Sequence, residues 1–155
     1  MSRRGETIGF VGLGNMGGAM CDRLVKAGYS VLVYDVRSEA VQQLVEVGAD
    51  AGASAWECAA QADLFFTSLP RPDHVEDVMG GVDGALQALR PGCVWVDLTT
   101  NQLELVQSLA MQAPPAVDIV DSPVTGAVDG ARNGALTLFV GGEEAVVNRV
   151  TPVLE

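Results

Sequence analysis

Short apolar runs rich in Val, Ile and Phe alternate along the chain with longer stretches whose apolar positions recur every third or fourth residue. The first pattern marks strands and the second marks helices with one buried face. Strands are predicted in TIGFVG from Thr7, VLVYD from Val31, a short run near Ala49, DLFFTSL from Asp63, CVWVDL from Cys93, VDIVDS from Val117 and LTLFVGG from Leu136. Helices are predicted over Met16–Ala27, Ser38–Val47, Ser54–Gln61, Val82–Leu89, Gln102–Gln112 and Glu143–Leu154. Ser38 and Ser54 stand where N-caps are wanted, and Gly28 and Gly48 where a left-handed residue closes a helix. Pro91-Gly92 and Pro114-Pro115 punctuate the later connections. Strands alternating with helices predict an α/β fold: a doubly wound, mostly parallel sheet with helices on both faces.

Composition narrows the class. With 155 residues and 48% apolar side chains, the chain can bury roughly 68–70% of its unfolded surface without disulfides or metals, and it has no room for two full domains. No repeat, low-complexity segment or polar linker divides it. Twenty acidic against nine basic residues, a net charge of −11, argue against nucleic acid or an anionic membrane as partner, since both are held through Lys and Arg clusters. The basic residues cluster only at Arg3-Arg4. Cys21, Cys58 and Cys93 are odd in number, widely spaced and without a Cys-x-x-Cys pair. They read as buried free thiols in a reducing compartment, with no metal site. The polar start MSRRGET lacks the apolar core of a secretory signal. No run reaches the ~20 apolar residues of a membrane span. The expected location is cytoplasmic.

Candidate chemistry enters after the first strand, where Gly12-Leu13-Gly14-Asn15-Met16-Gly17 forms a G-x-G-x-x-G leading into a helix. Gly12 permits the tight turn, Gly14 lets a pyrophosphate approach the backbone, and Gly17 lets the helix pack closely on the strand. The helix N-terminus offers unpaired N–H groups and partial positive charge to the phosphates. The second strand ends in Val33-Tyr34-Asp35, and a carboxylate there accepts hydrogen bonds from both adenosine ribose hydroxyls and repels a 2′-phosphate. The layout therefore favours NAD over NADP, although Arg37, two residues on, is placed to turn towards a phosphate. An S-adenosylmethionine methyltransferase shares a glycine-rich first loop and an acid after the second strand. Gly17 and the helix after it suit a pyrophosphate better.

Four motifs in order, GFVGLGNMGGAM, SLP at Ser68–Pro70, DLTT at Asp97–Thr100 and DSPVTGAVDGARNGALTLFVGG from Asp121, give a chain that resembles the β-hydroxyacid dehydrogenase family over its whole length. That family includes 3-hydroxyisobutyrate dehydrogenase, tartronate semialdehyde reductase and the cofactor domain of 6-phosphogluconate dehydrogenase. The resemblance implies a Rossmann-type NAD(P)-binding domain over residues 1–155. It also implies cofactor contacts from Leu69 and Pro70, and from Thr100 at the nicotinamide end. His74 stands where the family often has Asn, beside the cofactor; a solvated loop histidine is the alternative, and no catalytic role is assigned to it. Thr99 keeps the hydroxyl of the more usual serine.

The family's substrate motif, usually D-A-P-V-S-G-G, reads Asp121-Ser122-Pro123-Val124-Thr125-Gly126-Ala127 here. The resemblance gives Thr125 and Gly126 to the substrate carboxylate. Ala127 replaces a glycine and disfavours positive φ, so the loop shape or the accepted substrate is expected to differ. Gly130 and Gly134 are expected to serve packing. The substrate implied is a small 3-hydroxy acid or its semialdehyde.

The family's proton-transfer lysine is expected beyond Glu155, on the helix after the cofactor domain, and the family's helical second domain is expected to be missing from these residues. The chain's single lysine, Lys26, reads as a cation at a helix C-terminus. The expectation is thus a cofactor domain that binds dinucleotide and turns over poorly alone, with no catalytic residue of its own and a surface open to homo-oligomer formation. An imine reductase of similar fold and a non-catalytic dinucleotide-sensing module are the other readings.

Overall fold

Residues 5–155 are described by a computed structural model; the Arg3-Arg4 pair lies outside the described residues. Six strands form one parallel sheet: β1 (Thr7–Val11), β2 (Ser30–Tyr34), β3 (Asp50–Ala51), β4 (Leu64–Thr67), β5 (Val94–Asp97) and β6 (Asp118–Asp121). Their spatial order is β3-β2-β1-β4-β5-β6, the Rossmann order with its reversal between β1 and β4. Strands covered on both faces need apolar residues at every position rather than alternate ones. Leu64–Thr67 and Val94–Asp97 are accordingly buried throughout.

Two apolar layers follow from that burial. On one face Ile8, Phe10, Val31, Val33, Phe66 and Val96 pack with Cys21 of α1 (Asn15–Lys26), Leu44 of α2 (Ser38–Glu46) and Val150 of α7 (Glu144–Leu154). On the other Val11, Phe65 and Trp95 meet Cys58 of α3 (Ala55–Gln61), Val75 and Met79 of α4 (Pro72–Met79) and Leu109 of α5 (Leu103–Gln112). All three cysteines are free and buried, and burial pushes each thiol up to about 12. They pack as small apolar groups, as expected.

Several local expectations change. LTLFVGG does not join the main sheet. Only Thr137–Leu138 (β8) is a strand, and it pairs antiparallel with Val124–Thr125 (β7) in a separate ribbon. The run then touches β6 through one antiparallel bridge, Asp121 to Gly141, leaving Phe139 exposed. Val82–Leu89 is not an α-helix; only Ala85–Ala88 makes a 3-10 turn. Gly81 adopts φ +79° and a Cβ on Gly84 would strike the carbonyls of Met79 and Gly80, so the chain there is folded back too tightly for a regular helix.

Two helices lay outside the prediction. α4 begins with Pro72 at its first turn, where the missing N–H does no harm; the run LPRPDH reads as loop until Val75 and Met79 find the core. α6 (Val128–Asn133) is short and closed by Gly134 at φ +67°. Ser54 caps α3 as predicted, its Oγ accepting from Glu57 N at 3.1 Å. Ser38 does not cap α2, because Asp35 Oδ1 already accepts Arg37 N at 2.8 Å and starts the helix from Arg37.

Candidate dinucleotide site

The carboxyl ends of five strands form one row, since Tyr34, Val11, Thr67, Asp97 and Asp121 are register partners across β2, β1, β4, β5 and β6. Four of the five loops leaving the row are tied to the strand beside them. Gly12 N donates to Tyr34 O at 3.1 Å, Ser68 N to Val11 O at 2.9 Å, Leu98 N to Thr67 O at 2.8 Å and Ser122 N to Asp97 O at 2.8 Å. The crevice outside these ends, where strand order reverses, is where open α/β sheets take ligands. The buried polar or charged residues among the described residues are Thr67, Asp97, Thr99 and Ser122. All four lie at this edge.

The glycine loop divides its labour by geometry. Gly12 has φ +96°, and a Cβ on it would run into Ser68 O. A Cβ on Gly17 would run into Gly12 O. Both glycines are thus demanded by the fold itself. Gly14 is not: a Cβ there meets nothing within 4 Å. It is the N-cap of α1, no side chain caps that helix and no acid stands in its first turn. Open space in front of an uncapped helix end is a cradle for an anion. Asn15 is exposed and Met16 half-buried at the start of α1, while Leu13 is buried.

Asp35 fastens this loop. Its Oδ2 accepts Leu13 N at 2.7 Å and its Oδ1 accepts Arg37 N at 2.8 Å. A carboxylate oxygen has two lone pairs, so each retains capacity for one more donor. Arg37 folds back, with Nη2 donating to Leu13 O at 3.3 Å and Nε lying 3.4 Å from Asp35 Oδ1. A groove of about 640 Å³ opens beside Leu13, Gly14 and Asn15 and reaches Arg37. A second cavity, about 440 Å³, is walled mainly by apolar groups such as Phe10, Phe66 and Leu98, with Arg23 and Glu155 also in its lining. We read the first as part of the site.

Beyond the reversal point the edge is built from buried side chains. Trp95 Nε1 donates to Thr67 Oγ1 at 2.9 Å, and that hydroxyl donates to Asp97 Oδ1 at 2.9 Å. The same oxygen accepts Thr99 N at 3.1 Å, and Asn101 Nδ2 donates to Asp97 Oδ2. Thr99 Oγ1 in turn accepts Leu69 N at 3.0 Å. Burial drives the Asp97 carboxyl up to about 6, against the hydrogen bonds from Thr99 and Thr67, and Asp121 alongside adds to the rise. Burial raises Asp121 as well. Asn101 Oδ1, Asp121 Oδ1 and Ser122 Oγ are buried without a protein partner.

The residues singled out in the sequence are placed as follows. Leu69 is half-buried, and Pro70 and Thr100 are exposed. His74 sits in α4, not in a loop, with Nδ1 3.9 Å from Asp73 Oδ1. Thr125 ends β7, Gly126 has φ +114° and Ala127 is the N-cap of α6 at φ −25°. Ala127 therefore avoids positive φ, and Gly126 alone supplies it. Helix α6 is tied to α1 by Arg23 Nη1 donating to Arg132 O at 3.2 Å. Lys26 pairs with Asp22 at 2.6 Å at the exposed end of α1, as a helix-end cation.

A family model described as the NAD binding domain of 6-phosphogluconate dehydrogenase matches residues 7–155. The chain belongs to this family. Among relatives of this NAD-binding domain, the 2-(hydroxymethyl)glutarate dehydrogenase of Eubacterium barkeri is 40% identical over 148 residues, 95% of this chain and 49% of that protein. The 3-hydroxyisobutyrate dehydrogenase of Pseudomonas aeruginosa is 40% identical over 149 residues, 96% of this chain and 50% of that one. The chain thus spans about half the length of the curated relatives it matches. The structure of Mycobacterium tuberculosis 3-hydroxyisobutyrate dehydrogenase with L-serine aligns at a TM-score of 0.88 and 35% identity, over 97% of this chain and 51% of that one. Imine reductases, such as one from a Pseudomonas species at 21% identity and a TM-score of 0.83, share the fold. Membership in an NAD-binding family sets the methyltransferase reading aside, and the open cradle at Gly14 fits a dinucleotide pyrophosphate.

Thr67, Trp95 and Asn101 were not read from the sequence as site residues, and Asp97 only as part of a motif. The signal was present: a Thr and an Asp each close an otherwise apolar strand, and buried polar groups need partners.

Proposed function

We propose that this chain is the cofactor domain of an NAD-preferring 3-hydroxyacid dehydrogenase of the 3-hydroxyisobutyrate type, oxidising a small 3-hydroxy acid to its semialdehyde or running the reverse. The observation that carries the reading is the open space at Gly14 before the uncapped N-terminus of α1, with Asp35 fixed beside it. Bound there, NAD supplies a nicotinamide ring that accepts or returns hydride. The residues of this chain bind and orient. N–H groups of the Gly12–Gly17 loop hold the pyrophosphate, and the two unused acceptor positions of Asp35 take the ribose hydroxyls and disfavour a 2′-phosphate. Leu69 and Pro70 cover the cofactor, with His74 at the rim, and Thr100 faces the nicotinamide end. The Thr125 hydroxyl and Gly126 N–H hold the substrate carboxylate.

The chain's single lysine, Lys26, borders the groove at the last turn of α1 and is paired there with Asp22 at 2.6 Å, away from the β4 and β5 loops. The hydroxyl proton is moved by a residue outside this chain, so the chain alone binds and barely turns over. Three buried free thiols suit a reducing compartment such as the cytoplasm. Titration with NAD and NADP tests the reading: NAD binds more tightly, and Asp35→Ala weakens NAD about tenfold. No affinity for either dinucleotide overturns it. Firm NADP preference overturns the part given to Asp35, and rapid oxidation of small 3-hydroxy acids by this chain alone overturns the part given to an outside residue.

A further inference from the structure

We propose that Asp97, with Thr67 and Thr99, is a positioning unit that locks the two loops flanking the nicotinamide half of the cofactor, Ser68–Pro70 and Leu98–Asn101. The proposal rests on the dinucleotide reading above. Sheet order supplies the geometry. Asp35 follows β2, the glycine loop follows β1, and Asp97 ends β5, two strands farther on across the reversal point. Adjacent strands lie about 4.8 Å apart, so Asp35 and Asp97 bracket an edge about 14 Å long. A dinucleotide anchored by its adenosine ribose at Asp35 and its pyrophosphate at Gly14 can extend only towards β4 and β5. Its second half then lies over these two loops.

Each loop hangs on the buried unit by a different bond. Asp97 Oδ1 accepts Thr99 N at 3.1 Å, and Asp97 Oδ2 accepts from Asn101 Nδ2, which fixes both sides of Thr100. Thr99 Oγ1 accepts Leu69 N at 3.0 Å, which ties the β4 loop to the β5 loop. Thr67 Oγ1, held by Trp95 Nε1 at 2.9 Å, donates to Asp97 and sets the carboxylate itself. Thr67 is 0%, Asp97 2% and Thr99 3% exposed, so none of the three is a contact for a ligand. Two loops are thus coupled through one carboxylate that never touches the cofactor, and deleting it frees both at once. A carboxylate buried with this many donors is maintained against its desolvation only by that full set of bonds.

The test compares NAD with ADP-ribose, which lacks the nicotinamide, by calorimetric titration of the whole chain. Asp97→Ala and Thr67→Val weaken NAD about tenfold, the loss expected for hydrogen bonds to a charged group, while ADP-ribose binds as to the wild type. Thr67→Ser, which keeps the hydroxyl, restores NAD affinity. ADP-ribose binding thereby reports that each variant is folded. Equal losses for NAD and ADP-ribose, unchanged NAD binding in Asp97→Ala, or a Thr67→Ser variant no better than Thr67→Val each overturn the positioning role. A wild type that binds neither ligand overturns the dinucleotide reading and this proposal with it.

Discussion

The two ends of the candidate site are built on opposite principles. At the β1–β2 end the shape is a property of the backbone: Gly12 at φ +96°, Gly17 against Gly12 O, an uncapped helix, and one half-buried acid. At the β4–β5 end it is a property of buried side chains, Thr67, Trp95, Asp97 and Thr99, arranged around one carboxylate. The contrast has a physical basis. A pyrophosphate is recognised by N–H groups and a helix end, which only close backbone approach can deliver. A flat ring must instead be held by loops whose own position is fixed from beneath.

That difference can be attacked from each side. The largest effect is expected from Gly12→Ala, which puts a methyl group into the Ser68 carbonyl at a left-handed φ. It should lower unfolding free energy by about 3 kcal/mol or more, read by urea denaturation, and abolish NAD binding. A Gly12→Ala protein as stable as wild type breaks the backbone half of the comparison.

Next is a pH dependence belonging to the side-chain half. Burial raises Asp97 from 3.8 to about 6 in the folded chain, so between those values the native state holds a proton the unfolded chain has lost. Its contribution to stability is therefore present below the lower value and fades as pH rises through the window, by at most about 3 kcal/mol. Urea melts across that range should show wild-type stability falling with pH relative to Asp97→Asn. Parallel curves would remove Asp97 from the titration.

Gly14→Ala sharpens the first case. Its Cβ meets no protein atom, so the melting temperature should hold while NAD affinity falls about tenfold. A drop in stability comparable to that of Gly12→Ala would mean that Gly14, too, serves the fold. The smallest effect is expected from Arg37→Ala. Its ion pair with Asp35 is 60% exposed on the arginine side, and such pairs contribute about 0–1 kcal/mol. Thermal melts should barely move, while any residual affinity for NADP should fall more than that for NAD.

Much of the first end was legible in advance. The glycine spacing, the helix after it and Asp35 at the end of the second strand are local relations, fixed by a handful of neighbouring residues. The free buried cysteines and the Ser54 cap were readable for the same reason. LTLFVGG misled because its apolarity is that of a sheet strand, whereas its partners are β7 and a single bridge to Asp121. α4 was hidden by two prolines whose first-turn placement only the packed Val75 and Met79 make plain. His74 moved from loop to helix with it.

By itself the sequence determined where the glycine loop turns, which helix follows it, and that a carboxylate stands at the end of the second strand. Those facts depend on residues close together in the chain, where backbone sterics and hydrogen-bonding reach decide. Only the tertiary structure decided that Thr67 and Asp97, 30 positions apart, share one hydrogen bond. It also decided that Leu69 hangs on Thr99 and that Gly14 alone of the three motif glycines faces open space. These depend on parallel register between strands separated by whole helices. The order of residues along the chain carries no record of that register until the two apolar layers have closed on the sheet.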